Sequence, residues 1–342
     1  MIELAALSFL NVIHDDLARV EALILEHPHG RHEAIHWAVE LMAGSGGKRL
    51  RPALVLLSSH LCGADIDRAV FMAAAVEMLH AATLIHDDLI DGALVRRGVE
   101  TLNARPHPWS PATTVLTGDY FFAYAAHLAS QAINVQLMQR FSQALMTICD
   151  GEMRQMFDKD QQPTTSALAQ ARDEYERRIY AKTASLIAMS AEAGAVLAQP
   201  DNCVDSPSAA VFHAYGRELG IAFQIVDDVL DFTADEETLG KPVGSDLRHG
   251  LLTLPVLFFL EDRPDDPVVG RVLRGDRSEA TIQEAVRLIA NSPAIEQANG
   301  IARRHVQWAK QALDDLPALE CSSAPYRTAL LDLADFTVRR RF

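Results

Sequence analysis

The chain has 342 residues, enough for one large core or two ordinary domains, and its 49% apolar and 23% charged residues are those of a soluble globular protein. Its 31 Lys and Arg against 46 Asp and Glu leave a formal charge of −15, which repels phosphate polymers and excludes a broad nucleic-acid-binding face. Any phosphate chemistry must be local. The N-terminus MIELAALSFL has an acidic residue where a secretory leader carries Lys or Arg, and Glu77 and His80 interrupt the longest apolar run, Ala69–Ile85. Cys62, Cys149, Cys203 and Cys321 share no CxxC spacing. A cytoplasmic chain with no transmembrane segment and reduced, mostly buried thiols is expected.

Apolar residues recur at three- and four-residue spacing almost throughout, which predicts an all-α fold. In chain order, a glycine-rich turn at Gly44–Gly47 precedes Lys48-Arg49-Leu50-Arg51-Pro52, where Pro52 suits the first turn of a helix. A helix is predicted over Asp67–Asp91, then breaks at Gly92 and Arg105–Pro111. Further helices are predicted over Asn134–Phe157, Asp173–Leu197 and Ala209–Phe232, separated by breaks at Gln161–Thr165 and Gln199–Pro207. Breaks at Gly240–Gly250 and Asp262–Asp266 follow, and the chain ends in Arg339-Arg340-Arg341-Phe342, read as a solvated basic tail. Long helices on short loops imply a bundle. With no linker or low-complexity segment, a single domain over residues 1–342 is expected.

Five Asp-Asp pairs occur, and two differ from the rest. Asp15-Asp16, Asp265-Asp266 and Asp314-Asp315 have no third Asp four residues after the first, whereas LIHDDLID and QIVDDVLD both read DDxxD. On a helix the first and last Asp of each cluster, Asp87 and Asp91 or Asp227 and Asp231, share one face, with Asp88 and Asp228 beside them. Each cluster sits among apolar residues, where unpaired charge is costly. A counter-charge is needed, and hard oxygen ligands in pairs suit Mg2+, which prefers a few carboxylates plus waters and substrate phosphates. Two such helices facing each other across a bundle core would give a cavity acidic at its rim and apolar at its base.

A diphosphate bound through Mg2+ still needs cations. The turn GGKRLRP places Lys48, Arg49 and Arg51 at a helix N-terminus suited to a second, metal-free diphosphate. Arg96 and Arg97 follow the first cluster, and Lys182-Thr183 lie among small residues of a long helix.

The strings GGKRLRP, EMLHAATLIHDDLIDGALVRRG, KTASLI, FQIVDDVLDF and GKPVGSDLRHG, in that order, resemble the trans-isoprenyl diphosphate synthases of the polyprenyl synthetase family, from about Gly46 to Pro255. The resemblance implies an all-α bundle around a deep central cavity and a homodimer. It also implies condensation of isopentenyl diphosphate, head to tail, with an allylic diphosphate to give a longer all-trans polyprenyl diphosphate. By the same resemblance Asp87 and Asp91, assisted by Asp88, would bind Mg2+ on the allylic diphosphate. Asp227, with Asp228 and Asp231, would hold a third Mg2+. Arg96, Lys182 and Lys241 would contact that diphosphate, with Thr183 and Gln224 near the reacting ends. Lys48, Arg51, His80 and Arg97 would bind isopentenyl diphosphate. The chain departs from the family at Leu251, where Lys is often found after the glycine.

Thr83 and Ala82, four and five residues before Asp87, lie about 6 to 7.5 Å further down the same helix. Both are small where the resembling short-chain synthases carry bulky aromatics, and Leu79, Val76 and Ala75 follow. An open tunnel and a product of 20 carbons or more are expected, unless Phe121-Phe122 supply a floor. Two alternatives remain: an ionising terpene cyclase, which needs no second diphosphate pocket, and a non-catalytic subunit of a heteromeric synthase.

Overall fold

The computed structural model describes residues 8–26, 32–44, 48–96, 99–104, 109–157, 168–200, 206–234, 243–317 and 324–340. They are almost entirely helical, and the chain divides into two compact units that interleave in sequence. The first comprises 1–143, 189–214 and 312–333; the second comprises 144–188, 215–311 and 334–342.

In the first unit the elements are α1 (His14–Leu25), α2 (Glu33–Gly44), α3 (Leu50–Cys62), α4 (Ile66–Ile90) and α5 (Pro111–Gln131). The centre is α4, which is apolar on nearly every side and packs against α1, α3 and α5. By length and composition α4 is the described helix that could cross a membrane, yet 72% of its most apolar window is buried in the protein, as a core helix requires. Asp65 caps its start, its side chain accepting from the backbone of Asp67 at 3.0 Å. Ser110 and Thr113 form a capping box at the start of α5, with Pro111 in its first turn. Glu77, unusual in such a core helix, is explained by Arg49: its Nη1 reaches Glu77 at 2.7 Å and its Nε reaches Glu21 at 3.5 Å.

The second unit contains α7 (Leu168–Ile179), a π turn at Tyr180–Ala184 and the beginning of α8 (Ser185–Leu197). It also holds most of α9 (Pro207–Thr233), then α10 (Ser245–Arg248), α11 (Leu254–Asp262), α12 (Pro267–Leu273), α13 (Glu279–Ala290) and α14 (Ala294–Ala312). The end of α15 (Ala324–Arg339) belongs here too, and α6 (Val135–Phe157) enters at Ala144. Its core gathers Ile225, Phe232, Leu257, Phe259, Ile282 and Ile289. The helix predicted over Asp173–Leu197 therefore contains a π turn at Lys182, a frequent mark of functional sites. Gly151 on α6 and Gly220 on α9 make room for it: a Cβ added there would lie 2.6 Å from Ala181 and 2.5 Å from Ala184. The thiols also depart from expectation, since Cys149 is exposed and Cys62 half-buried; Cys203 and Cys321 lie outside the described residues.

Candidate active site

Each unit carries one aspartate cluster, and each cluster lies near the C-terminal end of a long helix. Asp91 is itself the cap of α4, its backbone N–H bonded to the carbonyl of Asp87. Carboxylates there meet the negative end of the helix dipole, so proximity to one another and to the helix end both call for cations.

In the first unit the three carboxylates divide. Asp87 is half-buried and Asp91 exposed, four residues apart on one side of the last turn. Asp88 turns inward, 8% exposed, and accepts from Arg96 Nε at 2.8 Å. Burial pushes the Asp88 carboxyl above its ordinary range, a shift that Arg96 opposes and Asp91 reinforces. Arg96 reaches back because Val95–Arg96 and Val99–Glu100 form a two-residue antiparallel hairpin, anchored by Thr101 Oγ1 donating to the carbonyl of Ala93 at 2.7 Å. Arg97 lies outside the described residues.

Lys48 and Arg51 are half-buried around the start of α3, whereas Arg49 is turned to Glu77 and Glu21. In the basic turn Arg49 is thus committed to an internal ion pair, while Lys48 and Arg51 are half-buried beside it. His80 is half-buried two turns before Asp87; Thr83 Oγ1 donates to its carbonyl at 2.7 Å. Ala82 and Leu79 are fully buried, and Thr83 is half-buried. The Phe122 ring lies 5.2 Å from that of His86, so the Phe121-Phe122 pair flanks the cluster end of α4.

The second unit assembles Lys182, Thr183, Gln224, Asp227, Asp228 and Asp231. Lys182 Nζ pairs with Glu152 on α6 at 2.6 Å. Thr183 Oγ1 donates to Gln224 Oε1 at 2.7 Å, Gln224 Nε2 donates to Asp228 Oδ1 at 2.8 Å, and Tyr175 OH donates to Asp228 Oδ2 at 2.7 Å. One hydrogen-bonded chain therefore runs from the π turn to the cluster. Complete burial and the nearby charge of Asp246 push the Asp228 carboxyl up to about 8, against the hydrogen bonds from Tyr175 and Gln224. Asp231 is 1% exposed and accepts from the backbone N–H of Asp246 at 3.1 Å. Asp227 alone of the three is open, 41% exposed, with Arg340 Nη1 at 2.7 Å from Oδ1. The reading of the whole C-terminal run as a solvated tail is corrected for Arg340, whose side chain is 5% exposed; Arg339 fits it. Lys241 lies outside the described residues, and Leu251 is half-buried.

Glu152 and Tyr175 went unread in the sequence, and Arg340 was read only as part of a solvated tail. Each acts through a partner distant along the chain, and none stands in a recurring pattern. Hard oxygens on the reachable side chains of Asp87, Asp91 and Asp227 fit a Mg2+ that keeps waters and phosphate oxygens in its shell. Among the described residues no three His, Cys, Asp or Glu side chains form a closed cage.

An all-α chain with two such clusters falls in the class of prenyl diphosphate synthases, and comparison with known proteins bears this out. The polyprenyl synthetase family model matches residues 32–289, and the chain belongs to that family. It is 36% identical to heptaprenyl diphosphate synthase component 2 of Geobacillus stearothermophilus over 341 residues, covering 99% of both chains. Among solved structures it resembles a polyprenyl synthase from Caulobacter crescentus CB15, with TM-score 0.86 and 35% identity over 98% of this chain and 97% of that one. A decaprenyl diphosphate synthase from Rhodobacter capsulatus follows, with TM-score 0.84 and 33% identity over 98% and 99%. The activity of this chain is that of a trans-prenyltransferase making a prenyl diphosphate.

Proposed function

We propose that the chain, as one polyprenyl synthetase domain over residues 1–342, is a Mg2+-dependent synthase that extends an allylic diphosphate with isopentenyl diphosphate to a product of 20 carbons or more. The observation that carries the metal reading is the division of the clusters: Asp87, Asp91 and Asp227 are reachable, while Asp88, Asp228 and Asp231 are buried and each accepts from at least one protein donor, although Asp231 Oδ1 has no hydrogen-bond partner among the described residues. Asp87, Asp91 and Asp227 would be the direct ligands of about three Mg2+ ions, and the buried three would orient them. Bound Mg2+ neutralises diphosphate oxygens and stabilises the leaving group. The polyprenyl synthase from Caulobacter crescentus was solved with calcium and isoprenyl diphosphate, which supports divalent-metal use in this family.

In this reading Lys182 and Arg96, each already held by a carboxylate, hold the allylic diphosphate as its carbon–oxygen bond ionises. Lys48, Arg51 and His80 hold isopentenyl diphosphate, whose double bond attacks the allylic cation before a proton is lost. Arg97 and Lys241 are assigned to the same two diphosphates from the motif alone. Thr183 and Gln224 place their dipoles near the reacting ends. Small side chains at Ala82 and Thr83 leave room for a long product; heptaprenyl and decaprenyl synthases among the similar proteins favour the same length class. Incubating the purified chain with Mg2+, labelled isopentenyl diphosphate and allylic primers of 5 to 20 carbons, then sizing the product, tests this. No incorporation, or a stop at 15 carbons, sinks the respective part.

A homodimer is supported by the stripe that α6 exposes, Met146, Met153, Met156 and Phe157, at 51–77% exposure. The Geobacillus relative is by its name one component of a synthase, which favours a second reading in which turnover needs another polypeptide. Activity of the purified chain alone decides between them.

A further inference from the structure

Arg340 is the middle residue of a run of three arginines, yet its guanidinium is enclosed. Nη1 pairs with Asp227 Oδ1 at 2.7 Å, Nη2 donates to the carbonyl of Phe223 at 2.5 Å, and Nε donates to that of Thr337 at 3.2 Å. The guanidinium carbon lies 3.6 Å from the centre of the Phe223 ring. Phe223 and Asp227 are four residues apart on α9, so one cation just past the end of α15 spans a full turn of the helix that carries the second cluster. Exposed ion pairs hold neither partner firmly. Here the cation is 5% exposed, whereas the carboxylate is 41% exposed, so the buried partner is the fixed one. The pair engages Oδ1, and the carboxylate still reaches solvent.

We propose that Arg340 is a positioning residue for Asp227: it fixes one carboxylate oxygen so that the group meets the metal–diphosphate complex already oriented. The proposal rests on the reading of Asp227 as a metal ligand. A guanidinium beside a ligand also repels the ion, which opposes the orienting effect. That repulsion is screened by the water that reaches Asp227. Losing the partner that orients a ligand typically costs 10–100-fold in metal affinity or activity, the larger effect. The flat guanidinium is required in addition to its charge, because it must stack on Phe223 while donating in two directions.

The test is calorimetric titration of the full chain with Mg2+ in the presence of inorganic diphosphate, beside the Mg2+ dependence of turnover. Arg340→Gln is expected to weaken Mg2+ binding roughly 10-fold and to raise the half-saturating Mg2+ by the same factor, with a smaller change in kcat at saturating Mg2+. Arg340→Lys should fall between the two. Unchanged Mg2+ binding in folded Arg340→Gln overturns the proposal, and so does a lower Tm with unchanged binding, which would make the contact packing alone. Tighter binding also overturns it, since Arg340 would then be a competitor of the metal. Asp227→Asn separates the two readings. If Asp227→Asn weakens Mg2+ binding and Arg340→Gln does not, only the positioning role fails; if Asp227→Asn binds like wild type, both fail. Should Arg340→Gln not fold, Phe223→Leu removes the stacking surface and keeps the charge; a several-fold weakening is expected, and wild-type binding overturns the proposal.

Discussion

Asp87 and Asp91 share the reachable side of the last turn of α4, while Asp88 turns away to Arg96. Three residues of one type are therefore held in different surroundings. Asp87→Ala is expected to lower turnover by roughly 10²-fold or more with the fold retained, as removal of a transition-state charge stabiliser does. Product formation and a thermal melt measured together check it, and near-normal turnover would sink the metal assignment. Tyr175→Phe leaves the buried Asp228 one donor short, and a lost hydrogen bond to a buried group costs about 1–3 kcal/mol. A denaturant titration showing wild-type stability would count against the hydrogen-bonded chain from Thr183 to Tyr175.

Close helix approaches place these residues, and they depend on glycine and alanine. Gly194 on α8 lies so near α3 that an added Cβ would be 2.1 Å from the backbone nitrogen of Ser59. Backbone cannot step aside as a side chain can, so Gly194→Ala is expected to destabilise by at least about 1–3 kcal/mol, readable in chemical denaturation. Ala82, proposed to leave room for the product, is fully buried on α4, between one and two turns before the cluster. Ala82→Phe should shorten the product with turnover retained, and an unchanged product length would remove α4 from the determinants of chain length. At the junction of α9 with α14, Glu218 accepts from His305 Nδ1 at 2.5 Å. Burial raises the Glu218 carboxyl, but His305 and Arg217 outweigh it and hold it below its ordinary range. Its stabilisation is present above the unfolded pKa of about 4.3 and is lost as pH falls through the lower folded value. Glu218→Gln should flatten the acid limb of a stability–pH curve, and an unchanged limb would show that the pair is energetically silent.

For the whole molecule, a charge of −15 disfavours self-association through polar surfaces, so in the proposed homodimer the apolar stripe on α6 would be the seam between copies. Met153→Lys places a charge in the middle of that stripe. Sedimentation equilibrium should then show a shift toward monomer at micromolar concentration, and an unaltered dimer would place the seam elsewhere.

The all-α character, the long helices and both aspartate clusters were legible in the sequence because each rests on local periodicity: apolar residues at helical spacing, and DDxxD at one turn. The family resemblance was legible for the same reason, through short strings in fixed order. Which carboxylates reach solvent was not legible, since Asp87, Asp88 and Asp91 share one spelling and differ only in what packs over them. The π turn at Lys182 packs against glycines on α6 and α9 that are distant in sequence. Arg339 and Arg340 look alike in the chain, one exposed and the other enclosed against Phe223 and Asp227. Local spacing is written in the sequence, whereas burial and charge pairing arise only when distant segments meet.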